Sequence, residues 1–305
     1  MDIDLLVIGG SGFVGARLVQ AALAGDLRVA YTCNRHAPAL AGPDGTPAAA
    51  YPVDFLAEGT ALEDCLRAAH PRAVVHCAVH YPNDSAIHEA VSLRSAERTA
   101  RTLRELGEGA RLVYVSTNAV FTGWEGRAYS ETDTPAERAD RYRAYGLYRR
   151  LGELAALEGL PGQTVVARTS HVEGRDYAGN LHWRMAEIVN PLRAGQPVAR
   201  FNDRTITPTR VDVLAAALLE MSRPEFAFRG ILNVAGTEAM TDYVYARCIA
   251  RRLGVDEALV RPDRGLPEGE TRRYNIALDV SLARRVLATP LETVDEMVAA
   301  VFPDR

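Results

Sequence analysis

Through the first half of the chain, short aliphatic and β-branched runs alternate with amphipathic stretches. "DLLVIGG" predicts a strand. "VGARLVQAALA" repeats its apolar positions at helical spacing and predicts a helix. Strands follow at "RVAYTC" and "AAYPVDF", a helix at "ALEDCLRAAH" and a strand at "AVVHCAV". A long helix is predicted over "AIHEAVSLRSAERTARTLREL", a strand over "RLVYVSTNAVF", a helix over Tyr142–Leu157 and a strand over "QTVVARTS". Strands separated by helices pair in parallel through right-handed crossovers, so the fold class is α/β with a doubly wound parallel sheet.

Past residue 168 the rhythm loosens and proline and glycine become frequent, as in "NPLRAGQPVARFNDRTITPTR". Helices are predicted at "VDVLAAALLEM", Thr241–Leu253 and Pro290–Val301, with a strand at "GILNVAG". We divide the chain into residues 1–168, the doubly wound domain, and residues 169–305, mainly a smaller α/β lobe. Segments near 205–235 return to the first domain.

"VIGGSGFVGARL" places Gly9, Gly12 and Gly15 at three-residue spacing between the first strand and the first helix. Glycines there allow a tight turn and close approach of the backbone to a pyrophosphate. The helix N-terminus adds N–H groups and partial positive charge. This predicts a Rossmann dinucleotide site formed by Gly9, Ser11, Gly12, Phe13, Val14 and Gly15. The second strand ends in "YTCNRH", without the acid that usually holds an NAD ribose. Arg35 is placed to meet a 2′-phosphate, so NADP is expected, with NAD possible. Asp54 and Phe55, after the third strand, are placed toward the adenine. Cys77, Ala78 and Val79, after the fourth, are placed near the inner ribose.

Three tyrosines have an arginine four residues on: Tyr31/Arg35, Tyr145/Arg149 and Tyr243/Arg247. Only Tyr145/Arg149 lies on the helix after the fifth strand. Residues four apart share a helix face. The cation therefore favours phenolate and would lower a pKa that starts near ~10. A tyrosine so tuned donates a proton to a carbonyl oxygen as hydride arrives at carbon. Ser116 and Thr117, at the end of the fifth strand, offer hydroxyls to polarise that carbonyl.

Composition changes this picture in one respect. All 35 basic residues are arginine, and the chain has no lysine, so Arg149 fits a chain-wide replacement. A net charge of −4 gives no basic field for nucleic acid. No apolar run is long enough for a membrane span. Four cysteines without a CxxC pair, and a start that runs directly into a strand, lead us to expect a reduced, cytoplasmic setting. The seven histidines show no HExxH pattern; His76 and His80 lie across a strand end, and no metal is expected.

Taken together, "STNAVF" (Ser116–Phe121), "YGLYRRLGE" (Tyr145–Glu153), "RTSH" (Arg168–His171), Gly179-Asn180, "DRTITPT" (Asp203–Thr209), "GILNVAG" and "RRYNIALD" (Arg272–Asp279) resemble the extended short-chain dehydrogenase/reductases. The order is most similar to the dTDP-4-dehydrorhamnose reductase family, within the wider sugar epimerase superfamily. That resemblance implies NADPH-dependent reduction of a 4-keto group on a nucleotide-linked 6-deoxy sugar. Thr117, Tyr145 and Arg149 would fill the threonine, tyrosine and lysine places. The substrate would meet Asn118, His171, Asn180 and Arg273, and a homodimer is a possible assembly.

The motifs also depart from that family. Arg149 stands for lysine, Asn118 for an acid, Ala119 for an aromatic and His171 for a tryptophan. His171 is thus a candidate substrate contact or an extra acid/base. Two other readings fit the same residues. One is an epimerase or dehydratase that retains its cofactor. The other is a catalytically silent NADP-binding subunit, as in the β subunit of methionine adenosyltransferase, which resembles the same family.

Overall fold

In the computed structural model, residues 3–80, 84–107, 109–136, 143–266 and 274–304 are described. The chain runs through β1 (Leu5–Ile8), α1 (Phe13–Ala24), β2 (Val29–Cys33), β3 (Ala49–Pro52), α2 (Ala61–Ala69) and β4 (Ala73–His76). Next come α3 (Ser85–His88), a π-helical turn (Glu89–Arg94), α4 (Ser95–Leu106), β5 (Arg111–Thr117), α5 (Arg143–Gly159) and β6 (Thr164–Thr169). β1, β4, β5 and β6 are buried along their whole length. Helices cover both faces of the sheet, which is why these strands read as continuous apolar runs.

The segment predicted as one long helix is helical from Ser85 to Leu106 and contains the π turn. Its cause lies partly outside the segment. The hydroxyl of Tyr114, on β5, donates to the carbonyl of Ser92 at 3.0 Å. Ser95 Oγ donates to the Val91 carbonyl at 2.6 Å. Carbonyls displaced from regular helical pairing thus find other donors.

The smaller lobe adds β7 (Val172–Glu173), α6 (Trp183–Arg193), β8 (Val198–Phe201), β9 (Arg204–Ile206) and β10 (Thr209–Arg210). α7 (Val211–Ser222) and β11 (Gly230–Asn233) follow, then β12 (Met240–Thr241), α8 (Asp242–Arg252), β13 (Val260–Asp263), β14 (Tyr274–Asn275), α9 (Ala283–Val286) and α10 (Val294–Val301). α6, α8 and α10 enclose a separate core that includes Met185, Ile188, Val189, Ile249, Met297 and Val301. β9 lies between β12 and β14, and β8 pairs with β13.

One parallel sheet has the order β3-β2-β1-β4-β5-β6-β11. β11 therefore returns to the first sheet, and α7 packs on α1. An ion pair between Arg17 and Asp212 joins those two helices. Strand order reverses between β1 and β4, which opens a crevice at the strands' C-terminal ends. No helix among the described residues is long and apolar enough to cross a membrane.

Candidate active site

A cavity of about 850 Å³ occupies that crevice and extends toward the smaller lobe. The glycine turn forms one end. Gly9 has φ +80°, and a Cβ there would collide with the backbone of Ala78. A Cβ on Gly15 would collide with the Gly9 carbonyl. α1 thus begins pressed against its own turn, and Gly12 at its N-cap makes no side-chain cap bond. Ser11, Phe13 and Val14 line the cavity beside them, and the arrangement fits a dinucleotide pyrophosphate.

Phe55, Cys77, Ala78 and Val79 line the same cavity. Burial pushes the Cys77 thiol up to about 12, so it stays protonated and apolar. Two expected contacts lie elsewhere. Arg35 is exposed and off the cavity wall, where Asn34 lies instead. Asp54 accepts from the Leu56 N–H at 2.9 Å and faces a separate, smaller cavity. A sequence pattern gives the strand end but not which neighbouring side chain turns inward.

The glycines of α5 bring the helix against β5. A Cβ on Gly146 would run into the Ala119 carbonyl, and one on Gly152 into the Tyr114 hydroxyl and the Ser92 carbonyl. Tyr145 thereby reaches the cavity, near Thr117 and Ala119. The ring of His88 packs on Tyr145 with centroids 5.6 Å apart. Arg149 is buried. It donates to the Val115 carbonyl at 3.1 Å, the Ala78 carbonyl at 2.5 Å and the Tyr114 hydroxyl at 3.4 Å. Its guanidinium lies 5.7 Å from the Tyr145 ring centre and 5.6 Å from that of Tyr114.

Ser116 and Thr117 part company here. Ser116 donates its hydroxyl to Glu153 at 2.6 Å. Glu153 is fully buried and paired with Arg168 through contacts of 2.8 and 2.7 Å. Its charged state needs those donors, so the Ser116 proton is committed to it and not to a substrate carbonyl. Thr117 Oγ1 accepts from the Ala119 N–H at 3.2 Å, and its weak contact to Asn118 is 3.3 Å. Asn118 Nδ2 donates to Ser170 Oγ and to the Ile276 carbonyl, fastening the sheet edge to the smaller lobe.

The other end of the cavity carries His171, whose φ is +41°. Its Nε2 lies 3.6 Å from Asp242 Oδ1, and Arg204 Nε lies 3.6 Å from Asp242 Oδ2. Burial, with Arg204, Arg184 and His182 nearby, pushes the His171 imidazole well below its ordinary range and leaves it neutral. Burial pushes the Asp242 carboxyl up. Trp183 and Arg184, at the start of α6, also line this end, with the guanidinium 4.9 Å over the indole.

Asn180 is not in the cavity. It is exposed and bound to Asp176 in the turn before α6, because the short amide satisfies that carboxylate locally. Arg273 lies outside the described residues. Sequence reasoning missed Arg184, Arg204 and Asp242. An exposed Trp183 beside an arginine at a helix start was the available signal; Asp242 had none, since it comes from a distant helix.

The family model described as the RmlD substrate binding domain matches residues 3–304. The chain is 30% identical over 200 residues to dTDP-4-dehydrorhamnose reductase of Mycobacterium tuberculosis, covering 63% of each chain. It is 30% identical to the Streptomyces griseus dTDP-4-dehydrorhamnose reductase, covering 81% of this chain and 82% of that one. Among solved structures, Bacillus anthracis dTDP-4-dehydrorhamnose reductase in complex with NADP superposes with a TM-score of 0.77. Its identity is 18%, over 99% of both chains.

Proposed function

Because the chain belongs to the RmlD substrate binding domain family, we propose that it reduces the 4-keto group of a nucleotide-linked 6-deoxy sugar. The observation that carries this reading is one continuous cavity with the glycine turn at one end and Tyr145 and Thr117 on its wall. The absence of an acid at the end of β2, where Asn34 lines the cavity, favours NADP over NAD. The dinucleotide, when bound, supplies the hydride.

Tyr145 gives its phenolic proton to the carbonyl oxygen as the carbon is reduced. Thr117 offers a hydroxyl to the same oxygen. Arg149 places its guanidinium 5.7 Å from the Tyr145 ring centre, a fixed positive charge beside the phenol. A guanidinium does not itself release a proton in a protein, so no proton relay runs through it. Arg184 and Arg204 offer bidentate donors suited to the substrate's diphosphate. Trp183 offers a flat face beside them.

One observation favours a second reading. Two of the hydrogen bonds of Arg149 go to main-chain carbonyls, which suits a cation that braces the sheet in a silent NADP-binding subunit. The purified protein, NADPH and a panel of dTDP-linked 4-keto-6-deoxy sugars separate the two. Oxidation of NADPH with formation of reduced sugar is expected; tight NADPH binding without turnover across the panel would favour the silent subunit.

A further inference from the structure

We infer that His171, oriented by Asp242, is a second acid–base centre that exchanges the hydrogen on the carbon beside the substrate ketone. This rests on the reductase reading, because it needs a keto sugar held against Tyr145. Four observations carry it. First, His171 lines the cavity and its Nε2 faces a carboxylate oxygen at 3.6 Å. The carboxylate stands just outside hydrogen-bond distance of that nitrogen, and acid–base contacts of this kind tighten when substrate binds.

Second, the backbone at His171 is left-handed, with φ +41°. That conformation is costly for a residue with a Cβ and persists only where the surroundings impose it, as at functional sites. The Thr209 N–H donates to the His171 carbonyl at 3.1 Å, and the hydroxyl of Thr209 donates to the carbonyl of Ser170, holding the turn from the neighbouring segment.

Third, the position is correct relative to the carbonyl-binding groups. β5 and β6 pair with Thr117 opposite Thr169, so His171 lies two residues beyond the partner of Thr117. The Asn118–Ser170 bond of 2.9 Å fixes that register past the strand ends. A ketone with its oxygen at Thr117 and Tyr145 would then share one cavity lining with His171.

Fourth, the environment holds the imidazole uncharged, as a weak base, before substrate binds. Burial and the charges of Arg204 and Arg184 hold it neutral. An anionic diphosphate beside those two guanidiniums would offset their charges and raise the basicity of His171 when substrate is bound.

The step balances without an oxidant or reductant. The His171 lone pair takes the proton from the carbon beside the ketone. The C–H electron pair becomes the C=C bond of an enol, and the carbonyl π pair moves to oxygen, which Tyr145 protonates. Reversal returns a proton to carbon from an imidazolium that has exchanged with water.

The test is deuterium wash-in. The protein, NADP⁺ and a dTDP-linked 4-keto-6-deoxy sugar are incubated in D₂O, and recovered sugar is analysed by mass spectrometry and NMR against an enzyme-free control. The same protein and sugar with NADPH report reduction in parallel. Wash-in well above the control is expected, falling about 100-fold or more in His171→Gln and in Asp242→Asn. Reduction without wash-in above the control would overturn this inference and leave the reductase reading standing. Undiminished wash-in in a folded His171→Gln would also overturn it. Wash-in without reduction would support the inference and overturn the reductase reading; neither process with any sugar would overturn both.

Discussion

The guanidinium of Arg149 lies 5.7 Å from the ring centre of Tyr145 but donates toward the carbonyls of Ala78 and Val115, at the ends of two neighbouring strands. The charge is therefore held by the sheet, and the phenol receives it through space. A lysine at 149 would keep the charge but present one ammonium where the fork reaches two carbonyls. Arg149→Lys is expected to retain turnover while losing about 1–3 kcal/mol of stability, measured by urea unfolding. Arg149→Met, which removes the charge, is expected to lower kcat by about 100-fold or more.

The two hydroxyls at the end of β5 have separate tasks. Both line the cavity, but the Ser116 hydroxyl is given to the buried Glu153–Arg168 pair, whereas that of Thr117 has only a weak 3.3 Å contact to Asn118. Thr117→Ala is expected to lower kcat by about 100-fold or more. Ser116→Ala is expected to change kcat far less while lowering stability by about 1–3 kcal/mol. Steady-state kinetics and denaturant titration of both variants check the division.

Much of this was legible in the sequence, for identifiable reasons. Fully buried parallel strands and amphipathic helices leave strong periodic signals, so the sheet and the crossovers up to β6 could be read. Glycine at 9, 12 and 15 and tyrosine at 145 report local backbone and helix-face requirements. The π turn could not be read, because its Ser92 carbonyl is met by Tyr114 from another strand. Nor could the Asp242 contact to His171, which joins residues 71 positions apart, or the turning of Ser116 toward Glu153. Those depend on tertiary partners, not local pattern.

Gly146 tests how closely α5 must approach. A Cβ at this position would meet the Ala119 carbonyl, so the helix must shift outward and carry Tyr145 with it. Misplacement on the order of 1 Å costs about 100-fold in rate. Gly146→Ala is expected to bind NADPH with little change, measured by fluorescence titration, while kcat falls by about that factor.

His76 is completely buried, with Nε2 2.7 Å from Ser95 Oγ. Burial, reinforced by the charge of Arg149, holds its pKa down to about 3. The unfolded chain, titrating near the ordinary value of about 6.5, binds more protons than the folded one between those limits. Stability is therefore expected to fall as pH drops from about 6.5 toward 3, by up to the order of 4–5 kcal/mol from this group. His171 contributes in the same direction. Urea midpoints of His76→Gln, which keeps a hydrogen-bonding side chain, are expected to fall less steeply with acid than those of the unaltered protein.

The most direct test of the central claim follows the hydride and its dependence on the tyrosine. NADPH carrying deuterium at the transferred position is mixed with the protein and dTDP-linked 4-keto-6-deoxy sugars, and the sugar products are read by mass spectrometry. Deuterium is expected at the former carbonyl carbon with the unaltered protein and with Arg149→Lys, and a loss of about 100-fold or more in Tyr145→Phe. Labelled product formed equally fast by Tyr145→Phe, or product without label, would contradict it.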